Sequence, residues 1–487
     1  MSLVLYPRAA PSDCLRVWVG VFQATQTPAL NWSLDDSPIT PVPLREISSV
    51  RPDDLLPADI PPAQVPRAFT GVYEFNNLQA DTSYAITASA GGESVKLETF
   101  TLPASVPTQL DRSFNVLLIS CFHQAEDRGG LAGTIVSQLK GTNKPHLTLL
   151  AGDQVYLDLP TLKTFPDKLP WLADKFERDY SLNWQGPLAY TNVLAAAPSV
   201  SLPDDHEYWN NFPHVSPFIA NSRTPGGRER WRRAAQAAYE GFQLAYPAKV
   251  GEAVSIDVQP LSFFLADTRT NKNFDREFTM SAEGRQQLDE WVSRVIEGGM
   301  FGVFVSGQSL FSKPVGKFEG SVGDYDLANY GDYGQILTSL ARLIDAGRPA
   351  LCLTGDVHWG RVATTKDIRT GRTAFSEVIS SPASLVSTVG ADQIKVALGS
   401  LGGLFGKRNP WPRHSDPDPP PVFLASDVLE GRFPCSMLHP QRGNHVAMLN
   451  FRQNGGGLEM RIKYWPITRD TDTDKPIEVG PIDLTSA

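Results

Sequence analysis

Cysteine is scarce in this 487-residue chain, with only four (Cys14, Cys121, Cys352 and Cys435). They lie far apart and form no CxxC pair, which excludes a disulfide framework and a zinc ribbon and makes each a buried thiol by default. No apolar run is long enough to span a bilayer. Positive charge is not in excess either. The formal net charge is −9, and the lysines and arginines are spread along the chain. That balance argues against binding a nucleic acid backbone and leaves room for a small, locally steered anion. The start, MSLVLYPRAAPSD, lacks a basic region followed by an apolar run, and no twin arginine precedes it. The expectation is a cytoplasmic chain as given, periplasmic or secreted if a leader was trimmed. No internal repeat is present.

What is present divides in two. Residues 1–105 contain short alternating apolar segments, CLRVWVGVF, FTGVYEFNNL, TSYAITASA and SVKLETFTL, separated by turn residues. They predict a β-sandwich, and NLQADTSYAI has the tyrosine placement of an immunoglobulin-like or fibronectin-like module. The linker PASVPTQLDRS follows. From residue 112 to 487 the texture changes to apolar runs that end abruptly in small or polar residues: NVLLIS, HLTLLAGD, LSFFLAD, GVFVSGQ and ALCLTGD. These read as buried strands, alternating with helical patterns such as GRERWRRAAQAAYEGFQLAY, where Trp231, Ala235, Ala238 and Phe242 share a face, and GRQQLDEWVSRVI. The expectation is an α/β core whose reactive groups collect at the carboxyl ends of strands. Stretches near 160–190 and 395–440 read as lids, the second because GSLGGLFGKRNPWP and DPDPPP are rich in glycine and proline.

The strand ends carry residues suited to metals or phosphate. Ser120, Cys121, Phe122 and His123 follow NVLLIS; Asp153, Tyr156 and Asp158 lie in GDQVYLD. Gly152 permits a tight turn that projects Asp153, and a Tyr three residues on can converge on the same ion. LPDDHEYWNNFP gathers Asp204, Asp205, His206, Glu207, Asn210 and Asn211, more than helix capping explains and costly to assemble without a cation or substrate. In LTGDVHWG, Asp356 and His358 stand two apart and point to one side. Asp267 and Arg269, then Gln308, end the remaining strands. A GD pair alone is an ordinary turn, and a strand-ending cysteine is ordinarily core. A succession of such ends in order is not ordinary.

SCFH, GDQVYLD, DDHE and GDVHWG, in that order, resemble the alkaline phosphatase D (PhoD-like) branch of the calcineurin-type metallophosphoesterases, over roughly residues 110–487. The broader pattern is DxH, GDxxD, GNHD or GNHE, and GHxH. Here Cys121 stands for the first Asp, Asp205 for the Asn before the histidine, and Asp356 for the first His of GHxH. The resemblance implies a four-layer αββα metallophosphatase sandwich behind an N-terminal β-sandwich, and hydrolysis of phosphate monoesters or diesters. It also implies a first metal on Cys121, Asp153, Tyr156 and His358, with Asp153 bridging to a second held by Asp205 or Asn210 and by Asp356. Thiolate, phenolate, carboxylate and imidazole favour Fe(III) in site one. Oxygen donors suit calcium, manganese or magnesium in site two. His206 would protonate the leaving alkoxide, oriented by Asp204 or Glu207, while Arg269 or Lys272 would bind a phosphate oxygen or Asp267 would pair with Arg269. The expected partner is a small phosphoester, with no specific nucleic acid partner.

Three competing readings are weaker. GQSLF at Gly307–Phe311 suggests a serine hydrolase using Ser309, but Phe311 occupies the second glycine of a nucleophile elbow. GGLFGKR fails as a phosphate loop at Leu401 and Arg408. A catalytically silent metal-bearing binding protein would not need His206. The GNH at Gly443–His445 comes after GDVHWG, in the wrong order for the metallophosphatase motif, and is expected to begin a C-terminal strand bordering the cavity.

Overall fold

The computed structural model describes residues 1–109, 111–127, 129–160, 164–186, 190–316, 325–355, 358–385, 424, 429, 431–454 and 457–484. Asp356 and the GGLFGKR stretch therefore lie outside the described residues, as does most of the second expected lid.

Two large sheets face each other. Among the described residues the second sheet has seven strands, in the order Val254–Val258, Leu261–Leu265, Phe301–Ser306, Ala350–Thr354, Thr373–Ile379, Gly360–Lys366 and Cys435–Gln441. The first has ten, and at its centre Phe114–Ile119, Leu147–Ala151 and Ser199–Leu202 run parallel. The strands predicted from continuous apolar runs are buried on both faces, and their side chains split with period two. Val116, Leu118, Leu149, Val303, Val305, Leu351 and Leu353 point into the core between the sheets. Leu117, Ile119 and Leu150 point outward under one set of helices, and Phe304 and Cys352 outward under the other. Cys352 is thus core, the default for a free thiol.

Helices Leu169–Gln185 and Pro225–Phe242 cover the first sheet, and Ala282–Glu297 and Tyr333–Asp345 the second. Thr224 accepts the Gly227 N–H and Pro225 opens the helix at its first position, so the start of Pro225–Phe242 is fixed locally. Its Trp231, Ala235, Ala238 and Phe242 face is buried as expected. Among the described residues no helix is long and apolar enough to cross a membrane.

The N-terminal strands add to the first sheet. Ser2–Arg8 joins the first sheet beside Ser199–Leu202, with Arg8 in register with Ser199, and Leu15–Ala24, Arg67–Phe75 and Val42–Ser49 continue the same sheet outward. One face of these strands packs on a four-stranded sheet through Val17, Val19, Trp32, Phe69 and Ile86. The other face puts Tyr6, Trp18 and Phe22 under the helices of the α/β core.

Candidate metal centre

Strand ends of both sheets converge on Asp153. Its loop and the Cys121 loop zip together, Cys121 N donating to Gly152 O (3.2 Å) and Phe122 N to Asp153 O (2.8 Å). Both side-chain-bearing residues sit in the left-handed region, Cys121 at φ 53° and Asp153 at φ 56°. Such backbone costs roughly 1–3 kcal/mol per residue and persists only where surroundings over-determine it. Gly152, at φ 91°, is required by space as well as angle: a Cβ there would lie 2.6 Å from Asp204 Cβ.

Glu207 does much of the over-determining. Its fully buried carboxylate accepts the backbone N–H groups of Asp153 (3.0 Å), Gln154 (2.6 Å) and Asp204 (2.8 Å), and the Gln243 side-chain amide (3.0 Å). Burial pushes its pKa up to about 7 against those hydrogen bonds. Sequence reasoning offered Glu207 as an orienter of His206; the structure corrects this, since Glu207 clamps two loops instead.

The orienter is Asp158. Its Oδ1 lies 2.8 Å from His206 Nδ1 and its Oδ2 accepts the Asn210 N–H (2.8 Å). Burial disfavours the charged imidazolium, but Asp158, Asp205 and Asp153 outweigh it and hold the His206 pKa well above the ordinary value. Burial also pushes Asp158 up, and His206 and the Asn210 amide pull it below the usual carboxylate range. His206 Nε2 stands 4.0 Å from Asp205 Oδ1, and the ring lies against Tyr156, centroids 4.1 Å apart.

The second sheet contributes His358, at φ 53°, whose N–H donates to Ser381 Oγ (3.1 Å). Ser381 Oγ in turn donates to Cys121 Sγ (3.1 Å). Ser120 Oγ donates to Ser380 O and Ser384 N to Cys121 O, so the SSPAS loop ties the second sheet to the Cys121 loop. Ser381 went unnoticed in the sequence; its only signal is a run of small polar residues ending the strand Thr373–Ile379.

The result is two donor sets. A ligand atom from each of Cys121, Asp153 and His358 lies within 4.8 Å of the others, and the same holds for Asp153, Asp205 and His206. Asp153 belongs to both. Burial, which disfavours a lone carboxylate, pushes its pKa well up, with Asp205 adding to the effect. Tyr156 is buried beside this centre. Asn210 Oδ1 and both side-chain polar atoms of Asn211 are buried with no hydrogen-bond partner, a cost of roughly 1–3 kcal/mol each that a cation would remove at the oxygens. The donor chemistry and these orphaned amides fit a pair of metal ions.

Other predicted residues lie elsewhere. Asp204 and Arg269 form a fully buried ion pair, Arg269 Nε to Asp204 Oδ1 2.8 Å, and Arg269 Nη1 also donates to Phe212 O (3.2 Å). That geometry corrects both the orienting role offered for Asp204 and the phosphate role offered for Arg269. Asp267 accepts the Arg269 and Thr270 N–H groups, so it shapes its own turn. Lys272 is buried and donates to Tyr325 O (3.2 Å). Ser309 cannot serve as an elbow nucleophile: its hydroxyl donates to Glu377 (3.0 Å) and accepts from Arg361 (2.8 Å), inside a buried Arg361–Glu377 pair. His445 begins the strand His445–Asn454 as expected, fully buried, its N–H on Pro382 O. His123 lies 5.4 Å from Tyr156, and burial lowers its pKa.

No family model matches the chain, and no curated protein matches it. Among solved structures, PhoD aligns over 98% of this chain and 92% of its own, at 13% identity and a TM-score of 0.62. A purple acid phosphatase from yellow lupin (Lupinus luteus) seeds aligns over 98% of this chain and 74% of its own, at 11% identity and a TM-score of 0.58. The fold is therefore that of PhoD and of the purple acid phosphatase.

Proposed function

We propose that this chain, built on the fold shared by PhoD and the purple acid phosphatase, is a metal-dependent phosphoester hydrolase in which Asp153 would be shared by two metal ions. The observation that carries the reading is that one buried carboxylate belongs to two donor sets, directly beside an imidazole held by a second carboxylate. Site one would be held by Cys121, Asp153, Tyr156 and His358, and site two by Asp153, Asp205 and Asn210 or Asn211, with Asp356 completing it. The soft and anionic donors of site one suit Fe(III), and the oxygen donors of site two suit calcium, manganese or magnesium. Bound there, two cations supply positive charge for the phosphoryl oxygens and lower the pKa of an attacking water.

The chain's own groups do the rest. Asp158 fixes His206 through Nδ1, which leaves Nε2 as the atom that delivers a proton to the departing oxygen. Asp158, which belongs to neither donor set, favours the charged form of the ring against its burial. Glu207 and the Arg269–Asp204 pair hold the loops that carry these groups.

The direct test is hydrolysis of chromogenic phosphomonoesters and phosphodiesters by protein loaded with iron and with calcium, manganese or magnesium. Turnover that chelation removes is expected. Absence of turnover under every metal combination would overturn the reading.

A further inference from the structure

The loop that follows Asn211 and the loop after the strand Leu261–Leu265 carry aromatic rings and cations with no part in the proposed chemistry. One turn past Asn211, His214 donates its backbone N–H to Asn211 O (2.7 Å). Its ring lies 5.1 Å from that of Phe274 and 4.8 Å from that of Tyr325. The second sheet anchors the same cluster. Lys272, within the loop that follows the strand Leu261–Leu265, and Gln308, just past the strand Phe301–Ser306, donate from their side chains to Tyr325 O at 3.2 and 3.4 Å. The cluster is thus tied to loops that follow strands of both sheets and, through Asn211, whose N–H donates to Asp205 Oδ2 (2.9 Å), to the loop that carries the expected metal donor Asp205.

The turn that presents Phe274 is locked. Asn273 Oδ1 accepts the N–H groups of Glu277 (2.7 Å) and Phe278 (3.2 Å), and Gly331 N donates to Arg276 O (3.0 Å). Yet Phe274 is 53% and Phe278 39% exposed. Each ring is paired with a guanidinium: Arg228 lies 5.4 Å from the Phe274 centroid, Arg276 4.7 Å from Tyr325 and Arg285 4.3 Å from Phe278. Exposed rings on a rigid turn offer a stacking face, and the arginines add local positive charge to a chain of net charge −9. What complements such a surface is a flat ring joined to an anion.

We propose that Phe274, backed by His214 and Tyr325, forms the leaving-group subsite of the centre and takes phosphoesters whose alcohol carries a planar aromatic ring. The proposal rests on the hydrolase reading of the site. Its test compares adenosine 5′-monophosphate with glycerol 3-phosphate, and the methyl diesters of both. All are esters of primary alcohols, so reactivity is similar and the ring is the variable. Wild type should prefer the adenosine esters in kcat/KM. Phe274→Ala should lose roughly tenfold on the adenosine esters, in line with base–aromatic stacking, and keep its rate on the glycerol esters. Phe274→Trp should retain the preference and Phe274→Leu lose it, which separates stacking from bulk. Wild type without preference, or a Phe274→Ala loss equal for both substrate pairs, would overturn the subsite while leaving the hydrolase intact. Hydrolysis of none of the four would instead overturn the hydrolase and the subsite with it.

Discussion

His206 can serve as a proton donor or as a metal ligand, since its ring atom also belongs to the donor set around Asp205. The 2.8 Å contact from Asp158 fixes the ring in either role, since a carboxylate also holds a metal-bound imidazole, so metal content decides. His206→Ala should lower kcat by roughly 10²–10⁴ and leave metal content unchanged. Asp158→Asn should lower kcat in the same direction with KM little altered. Elemental analysis of His206→Ala decides: loss of a metal ion would make His206 a ligand. Ser381 makes a second prediction at this scale. It hydrogen-bonds one expected ligand and receives the backbone of another, so Ser381→Ala should weaken metal binding at site one by roughly 10- to 100-fold, measured by competition with a chelator. Unchanged affinity would reduce Ser381 to packing.

Elements show what was legible in the sequence and what was not. The apolar runs ending in GD, SCFH and GDVH announce buried strands and their reactive ends because period and termination are local properties. Asp158 was visible but unassigned, since its partner is 48 residues away and no spacing rule joins them. Arg269 shows the opposite failure. A cation at a strand end suggested phosphate, but only the fold reveals that it is fully buried against Asp204. Truncating it to Ala would leave an uncompensated buried charge, an expense of roughly 3–5 kcal/mol. A pH effect belongs to the strand Phe114–Ile119. Its Asn115 N–H donates to His146 Nδ1 (3.0 Å), and burial lowers the His146 pKa from 6.5 to about 4. The unfolded chain thus binds this proton at higher pH than the folded one. The stability contributed by neutral His146 is fully present above pH 6.5 and is lost as pH falls toward 4. Urea unfolding at pH 7 and pH 5 should show this loss in wild type and a smaller one in His146→Gln; equal losses would contradict it.

At the scale of the whole molecule, the N-terminal strands and the core that carries the candidate metal centre share one sheet. Trp18 Nε1 donates to Gly241 O (2.8 Å), and Arg51 pairs with Glu177 (3.1 Å) and Asp174 (2.9 Å) on the helix Leu169–Gln185. The sequence could not show this, because the linker suggests separation while the pairing of Arg8 with Ser199 is long-range. Removing residues 1–105 would expose Ser199–Leu202 as a bare edge and uncover the helices packed on Tyr6, Trp18 and Phe22. The fragment 112–487 should therefore aggregate or unfold without cooperativity. A soluble, cooperatively melting fragment would show that the core stands alone.

The claim on which the rest depends is that Asp153 bridges two ions, and metal content measures it most directly. Elemental analysis of purified, metal-loaded protein should give about two ions per chain for wild type and less than one for Asp153→Asn, with the variant still folded by its melting profile. An Asp153→Asn protein that keeps both ions, or a wild type that binds none, would contradict the account.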